Sequence, residues 1–391
     1  MSVGESRTAV VDPQRLDRVR SLVDQDVEEG RYHGAVLLVA VHGEIVLEEA
    51  FGSTDAATGR PAQVDDVFRL MSVTKSITTA AVHVAIDSGL LSLNTRVAQM
   101  IPEFMESTPG SRKARITVAH LLSHCSGLPG DAHPVALDEL GDFDKALAAV
   151  YAMDIIAEPG STLAYSPMAN HALLGELLRR VYGADRVRDV LQEQILTPLG
   201  MKDTALGLPA ALADRAVPLR ASSEDLGWLK ASDIEVFNDL LTPEAEMPWV
   251  GGVSTAADLF RLAELYRRRG EVGGRRLLSR ALVSRVTTNQ TQDWPNSIFA
   301  PLAEDPVHGF ELGPGCYGYG FNLSGDSVAP SMFGTLTSPA TFGRHGAGGG
   351  LFWVDPVNDV TMVSLIAGIM AEPGNLFRAQ RLSDLVITSV T

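Results

Sequence analysis

Apolar residues follow helical spacing close to the start of the chain. After the Asp12-Pro13 pair, an N-cap with proline in the first turn, the apolar positions fall on one helix face: Leu16, Val19, Leu22, Val23 and Val27. Two runs rich in β-branched and aliphatic residues come next, at 35–41 and 44–51. Because His42-Gly43 between them can form a two-residue turn with positive φ at glycine, we predict a β-hairpin.

Helical periodicity dominates the middle of the chain, and strand patterns return near its end. The spacing predicts helices at 74–88, 118–123, 137–153, 170–182, 187–196 and 256–269. Residues 287–342 are rich in Gly, Pro and Ser, and such a long segment predicts the wall of a pocket, with a local strand near 317–323. Strand patterns at 350–354 and 360–369 precede a closing helix around 376–390.

Strands at both ends with helices between them predict an α+β fold rather than repeated βαβ winding. We expect one antiparallel sheet built from both termini and flanked by helices, with a helical lobe inserted after the first hairpin. In this interpretation residues 1–391 form a single unit. Its sheet region comprises mainly 12–70 and 275–391, and its helical lobe mainly 71–274.

Charge and composition narrow the class of partner. The 391 residues have a net charge of -16 without a basic block, so nucleic acid and anionic membranes are not expected partners. The first 11 residues lack the pattern of a signal peptide, and the longest apolar run, near 360–371, is too short to span a bilayer. Only two cysteines occur, which does not suggest a disulfide scaffold. We therefore predict a cytoplasmic protein.

The sequence Ser72-Val73-Thr74-Lys75 lies where an apolar stretch gives way to a predicted helix. Residues three apart share a helix face, so Lys75 could reach the Ser72 hydroxyl. A buried lysine has a lowered pKa and could accept the serine proton, which would make Ser72 a nucleophile. The same tetrapeptide also fits an N-cap serine followed by a solvated lysine.

Two further segments could contribute to the same chemistry. Tyr165, in a loop before a predicted helix, could act as a phenolate base near an ammonium group, although a single tyrosine also fits a core position. The glycine-rich run 343–350 allows a backbone to approach a ligand closely, and its N–H groups could line an oxyanion hole. A flexible loop is the alternative interpretation of that run.

Other active-site patterns fit less well. His120 and His124 are four residues apart in a predicted helix, but no carboxylate third ligand is evident, so capping or packing roles are favoured over zinc. The nearest match to a G-x-S-x-G elbow surrounds Ser254 and lacks the final glycine. We predict no metal and no organic cofactor.

In this order, the three segments resemble the serine β-lactamase and penicillin-binding-protein family. Further stretches of the sequence are similar to that family: HLLSHCSGL at 120–128, PG and YS with LLG at 159–175, PLGM at 198–201 and GGVSTAAD at 251–258. The similarity extends from about residue 34 to 369 and is greatest to the class C-type (family VIII) carboxylesterases. It implies a β-lactamase/transpeptidase-like fold.

The resemblance also implies roles for residues. Ser72 would be the nucleophile, Lys75 and Tyr165 would handle its proton, and the oxyanion hole would use the N–H of Ser72 and of Ala347 or Gly348. His345 would stand where β-lactamases have lysine and would line the pocket. Two departures are evident: Pro167 replaces the asparagine of the lactamase Tyr-x-Asn, and Ala347 replaces the glycine of the strand motif.

We therefore predict a serine hydrolase that cleaves carboxylic esters through an acyl-enzyme on Ser72. One alternative is an acyltransferase that delivers the acyl group to an alcohol or amine of a natural product. Another is a D-aminopeptidase, an amidase or a weak β-lactamase. The expected partner is a small-molecule ester or acyl donor, and the sequence does not indicate the oligomeric state.

Overall fold

The longer strands come from the two ends of the chain and most helices from its middle. The computed structural model describes residues 11–130, 135–223, 225–226, 229–297, 300–304 and 309–390. Its helices are α1 (Pro13–Glu28), α2 (Thr74–Asp87), α3 (Val97–Met100), α4 (Val118–Leu122), α5 (Phe143–Ala152), α6 (Ala169–Tyr182), α7 (Val187–Leu191), α8 (Thr197–Leu199), α9 (Ala210–Ala213), α10 (Ala231–Glu235), α11 (Phe237–Leu240), α12 (Ala256–Arg267), α13 (Arg280–Val286), α14 (Ala300–Ala303) and α15 (Gly374–Ser389). Its strands are β1 (Gly34–Val41), β2 (Glu44–Gly52), β3 (Val67–Arg69), β4 (Ala205–Leu206), β5 (Ala216–Val217), β6 (Asp225–Leu226), β7 (Leu229–Lys230), β8 (Gly252–Ser254), β9 (Glu271–Val272), β10 (Arg275–Arg276), β11 (Asn322–Leu323), β12 (Phe342–His345), β13 (Leu351–Asp355) and β14 (Val360–Ala367).

The main sheet joins both ends of the chain. Its six strands follow the order β11-β12-β13-β14-β1-β2, and every neighbouring pair is antiparallel. Strand β1 pairs with β14 over its full length, from Gly34 opposite Ala367 to Val41 opposite Val360. The predicted α+β fold, with an antiparallel sheet built from both termini, is therefore confirmed.

Two hydrophobic cores lie on opposite faces of this sheet. All eight residues of β1 are buried, and successive side chains alternate between the two cores. Leu37 and Val39 belong to the core that α1 and α15 cover, whereas Val36 and Leu38 belong to the core shared with the helical lobe. The sheet is thus a middle layer between helices.

A smaller sheet leads the chain into the helical lobe. Its strands follow the order β4-β8-β3-β5, and β3 runs into a 3-10 turn, Met71–Val73, directly before α2. Residues 74–85 of α2 are all buried, because α6 and α7 pack around this helix. Helix α2 is therefore an interior helix whose first turn lies at the junction of the two regions.

The predicted helices and hairpin agree with the structure at most positions. Asp12 caps α1, and His42 and Gly43 both have positive φ in the hairpin turn, at 54° and 80°. The helix predicted over 137–153 was wrong at its start: α5 begins at Phe143, because Asp142 accepts hydrogen bonds from the first-turn N–H groups and so caps a new helix.

The division into a sheet region and a helical lobe remains a prediction. Helix α12 falls inside the interval 71–274 assigned to the lobe, yet it packs against β1, β13 and β14 of the main sheet. The first ten residues, on which the prediction of no signal peptide mainly depends, lie outside the described residues. In the described part of the chain, no helix is long and apolar enough to cross a membrane.

Candidate active site

The turn between β3 and α2 determines where the Ser72 side chain points. Met71 has a φ of 47°, in the left-handed region that non-glycine residues seldom adopt. Its side chain is buried, and the next peptide is held by a hydrogen bond from Val73 N–H to Leu70 O of 3.0 Å. The chain therefore bends sharply directly before Ser72, which lies at the entry to α2 and is only partly buried.

Lys75 lies one helical turn later and reaches the serine. Its side chain is 0% exposed, and Nζ is 3.1 Å from Ser72 Oγ and 2.8 Å from the carbonyl oxygen of Trp249. The same segment also anchors α2, since Thr74 Oγ1 accepts a 2.8 Å hydrogen bond from Gly252 N–H. Lys75 is therefore a fixed group in the protein interior and not a solvated side chain.

Burial changes the proton affinity of this lysine. Removal from water disfavours the ammonium form and is the main reason that the pKa of Lys75 falls from 10.5 to about 8. Tyr165 opposes this shift, whereas the positive charge of Arg344 adds to it. Near neutral pH, Lys75 is thus much closer to losing its proton than an ordinary lysine.

Tyr165 approaches the serine from the opposite side. Its hydroxyl donates a 3.0 Å hydrogen bond to Ser72 Oγ, and Lys75 Nζ is 5.4 Å from the centre of its ring. Burial by itself would raise the pKa of this phenol, but the charges of Lys75 and Arg344 and hydrogen bonds with Ser72 and Lys75 outweigh it, so the pKa of Tyr165 is lowered. Ser72 therefore has two groups prepared for proton transfer within hydrogen-bond distance.

The glycine-rich run after β12 packs directly against the turn that presents Ser72. A side chain on Gly346 would lie 2.8 Å from Leu70 O and 3.0 Å from Ser72 N, so only glycine permits this approach. The N–H groups of Gly346 and Gly349 are bonded within the run. For those of Ser72, Ala347 and Gly348, the described residues show no hydrogen-bond partner. These N–H groups remain available beside the serine.

Strand alternation separates Arg344 from His345. Arg344 shares a face of β12 with Phe342, which packs in the core toward the helical lobe, whereas His345 pairs with Leu351 of the other core. Arg344 is 1% exposed, and its Nη1 donates a 3.2 Å hydrogen bond to Tyr317 Oη. The charge of Arg344 acts on both Lys75 and Tyr165, whereas the expected His345 lies on the opposite face of β12.

Arg344 is a site residue that was not predicted, although the sequence carries a signal for it. In the run Phe342 to His345, alternate positions face opposite sides, so the residue that shares a side with the core residue Phe342 is Arg344. His345 lines a small pocket with Tyr317, Met332 and Phe333. Burial, followed by the charges of Arg344 and Lys75, lowers the pKa of His345 to about 4.

His120 and His124, considered above as possible zinc ligands, do not share a helix face. Helix α4 ends at Leu122, His120 forms a capping box with Thr117, and His124 lies beyond the helix with a φ of 55°. Over the described residues, no cluster of His, Cys, Asp or Glu is arranged to hold a metal ion. The capping and packing interpretation of the two histidines agrees with these positions.

Comparison with known proteins identifies the family of the chain. The family model for Beta-lactamase matches residues 19–370. The chain belongs to the beta-lactamase family. Among relatives in this family, Esterase EstB of Burkholderia gladioli is 34% identical over 215 residues, which cover 51% of this chain and 54% of EstB. The alignment thus spans about half the length of that relative.

Two longer matches cover most of this chain. Esterase/beta-lactamase LipL of Mycobacterium tuberculosis is 28% identical over 360 residues, covering 84% of this chain and 76% of LipL. A crystal structure of a family VIII carboxylesterase is 26% identical, has a TM-score of 0.77 and covers 98% of this chain and 99% of its own. The resemblance to the serine β-lactamase and family VIII carboxylesterase group is confirmed.

Proposed function

We propose that this protein is a serine hydrolase that cleaves carboxylic esters through an acyl-enzyme on Ser72. The observation that supports this most directly is the position of Ser72 Oγ, 3.1 Å from Lys75 Nζ and 3.0 Å from Tyr165 Oη. A serine with two lowered-pKa groups in contact is suited to general-base activation. The substrate is a small-molecule ester, as in the relatives named as esterases.

The first half-reaction forms the acyl-enzyme. The Lys75–Tyr165 pair accepts the Ser72 proton while Oγ bonds to the ester carbonyl carbon, and the carbonyl oxygen becomes an oxyanion. The N–H groups of Ser72 and Ala347 stabilise that charge, because Ala347 directly follows the glycine packed against Ser72 N. The carbon–oxygen bond to the alcohol then breaks, and the leaving alkoxide takes the proton back from the pair.

The second half-reaction releases the acid. A water molecule gives a proton to the same pair, attacks the acyl carbon and forms a second oxyanion in the same hole. Collapse returns the proton to Ser72 Oγ and frees the carboxylic acid. If an alcohol or amine takes the place of water, the product is a transferred acyl group, so acyl transfer is the alternative that needs no change in the site.

Pro167 favours esters over amides and lactams. A bound amide presents a carbonyl and an N–H that lose water, and each buried group left unpaired costs about 1 to 3 kcal/mol. Two residues after Tyr165, proline offers neither a side-chain amide nor a backbone N–H. We therefore expect kcat/KM for short aryl or alkyl esters well above that for cephalosporins or D-alanyl peptides.

The test combines active-site labelling with a substrate comparison. A fluorophosphonate should add once, on Ser72, as read by intact-protein and peptide mass spectrometry, and Ser72→Ala should neither label nor turn over p-nitrophenyl butyrate. Ser254→Ala is the matched control, because Ser254 Oγ is buried and bonded to Thr204 Oγ1. An adduct elsewhere would overturn the assignment of the nucleophile.

The same preparation distinguishes the rival activities. Lactam or peptide turnover equal to ester turnover would replace the esterase by a lactamase or peptidase. Acyl products formed faster with an added alcohol or amine than with water alone would favour the acyltransferase. The cytoplasmic location remains a prediction, which fractionation of the producing cell would test.

A further inference from the structure

His124 lies directly behind Tyr165, outside the set of residues proposed above. It follows α4 in a left-handed conformation, with a φ of 55°, and its side chain is 0% exposed. Its ring centre is 4.6 Å from that of Tyr165 at an interplanar angle of 37°, and 5.3 Å from that of Tyr317. The imidazole therefore supports the face of the tyrosine ring.

Hydrogen bonds to His124 enclose Tyr165 on both sides along the chain. The backbone oxygen of His124 accepts from Ala164 N–H at 2.9 Å, and its Nδ1 accepts from Ser166 N–H at 3.1 Å. His124 thus binds the N–H groups of both sequence neighbours of Tyr165. The loop has a further bond from Tyr165 N–H to Ser297 Oγ, at the longer distance of 3.3 Å.

The tautomer of His124 follows from these contacts. A backbone N–H can only donate, so the bond from Ser166 requires an unprotonated Nδ1. Asn170 Nδ2 also lies 3.2 Å from Nδ1, and the Asn170 amide is oriented by a 2.7 Å hydrogen bond that Ser126 Oγ donates to its Oδ1. A neutral ring with the proton on Nε2 provides this acceptor, in agreement with burial, which lowers the pKa of His124. Among the described residues Nε2 itself has no hydrogen-bond partner, so the contacts of the ring nitrogens are all at Nδ1.

We propose that His124 is a positioning residue that holds the Tyr165 hydroxyl on Ser72 Oγ through the acceptor at Nδ1 and the tilted ring packed beside the phenol. The inference rests on the role proposed for Tyr165. Because Ala164 N–H and Ser166 N–H, on either side of Tyr165, both donate to His124, loss of the Nδ1 acceptor frees the second of them. A displacement of about 1 Å in a reacting group can lower a rate about 100-fold.

Displacement of Tyr165 also has a signature that simple destabilisation lacks. The pKa of Tyr165 is lowered by nearby Lys75 and Arg344, so a phenol moved away from them has a higher pKa. The acid limb of the kcat profile should then shift to higher pH. The titratable or charged groups around Tyr165 and His124 are Lys75 of α2, His171 of α6, Arg344 of β12 and Tyr317.

The experiment compares two substitutions that separate the contribution of the His124 ring from that of its hydrogen-bond acceptor Nδ1. His124→Phe keeps a ring but leaves Ser166 N–H without an acceptor, whereas His124→Asn keeps an acceptor near Nδ1 and tolerates positive φ. We expect His124→Phe to lower kcat about 10- to 100-fold while KM stays within about threefold of wild type. The acid limb of its kcat profile should shift to higher pH. We expect His124→Asn to stay within about fivefold of wild type.

His83→Phe is the matched control. His83 is also 0% exposed, on α2, and its nitrogens contact Tyr266 Oη and Tyr319 O instead of the Tyr165 loop. It should lower stability without moving the acid limb. A wild-type kcat and limb in folded His124→Phe, or an equal shift of the limb in His83→Phe, would overturn the proposal.

Two further variants keep the outcomes distinct. If His124→Phe does not fold, His124→Gln replaces it, because its longer side chain displaces the acceptor while remaining polar. Equal kcat for the Gln and Asn variants would then overturn the proposal. Tyr165→Phe with undiminished kcat would instead overturn the proposed role of Tyr165, whereas a loss there with none in His124→Phe rejects only the positioning role.

Discussion

Two fully buried charged side chains, Asp355 and Arg344, are treated very differently by the structure. Asp355, at the end of β13, is 0% exposed and accepts hydrogen bonds from the N–H groups of Ser338, Val357 and Asn358 and from two side chains, Ser338 Oγ and Asn358 Nδ2. Among the described residues, the guanidinium of Arg344, on the adjacent strand, makes one hydrogen bond, to Tyr317 Oη. Within the described residues, its Nε and Nη2 have no partner and no carboxylate pairs with it.

The difference shows what each charge does. Burial raises the pKa of Asp355, but its hydrogen bonds outweigh that effect and lower it overall, so this carboxylate stabilises a turn. The charge of Arg344 is not neutralised locally and acts instead on its neighbours, lowering the pKa of both Lys75 and Tyr165. A buried charge with hydrogen bonds to all its polar atoms stabilises the fold. A buried charge without them, such as that of Arg344, changes the pKa values of the neighbouring site residues.

The largest expected effect comes from removing the proton acceptor next to Ser72. Lys75→Arg should lower kcat at least about 1000-fold, because a guanidinium stays protonated at any working pH and cannot accept the serine proton. Steady-state kinetics with p-nitrophenyl butyrate measures this, with circular dichroism to confirm folding. Near wild-type kcat would show that the lysine is only structural.

Tyr165→Phe should lower kcat about 100- to 1000-fold and change KM little, because proton transfer is lost while the ring stays packed on His124. The rate of fluorophosphonate labelling of Ser72 should fall in parallel, since the same proton must leave. A loss confined to KM would instead assign Tyr165 to substrate binding.

Arg344→Met tests the role of the buried, unpaired charge directly. Loss of its positive charge raises the pKa of Lys75, about 8 in the wild type, and that of Tyr165, so the acid limb should move to higher pH. At pH 7 we expect kcat/KM to fall about 10-fold. The free energy of unfolding should stay the same or rise, because an unpaired buried charge is replaced by an apolar side chain of similar length.

The pH profiles of wild type and variant, measured side by side, decide this. An acid limb that stays in place or moves to lower pH in Arg344→Met would contradict the comparison, as would a loss of stability above about 2 kcal/mol, which would indicate that Arg344 is chiefly structural.

Asp355→Asn should affect stability and not activity, in contrast to Arg344→Met, and it has the smallest expected effect on kcat. Its carbamoyl group cannot accept all the N–H bonds that Asp355 accepts, so the free energy of unfolding should fall by about 2 to 4 kcal/mol. Because the pKa of Asp355 is lowered in the folded state, this contribution is present above the unfolded pKa and is lost as pH falls through the folded value.

Urea denaturation of wild type and Asp355→Asn at pH 7 and at pH 3 measures the loss of unfolding free energy and its dependence on pH. The kcat of Asp355→Asn at pH 7 should stay within about twofold of wild type. A large loss of kcat in folded protein would remove the distinction between the two buried charges.

The sequence by itself was sufficient to predict most of the long elements and to propose Ser72, Lys75 and Tyr165, which the structure places together. Periodicity is a local property, so α1, the hairpin β1–β2 and α2 could be predicted from side-chain spacing and turn residues. The Ser72–Lys75 contact is also local, since two residues three positions apart on one helix face can meet without help from the rest of the chain.

Only the tertiary structure decided which distant groups act on that pair. Arg344 reaches Lys75 and Tyr165 because β12 lies at a particular register beside β13, and a shift of one residue would have placed His345 there instead. The lowered pKa of Lys75 likewise depends on complete burial of α2 by other helices. Pairing register and burial arise from contacts between segments far apart in sequence, which spacing within one segment does not determine.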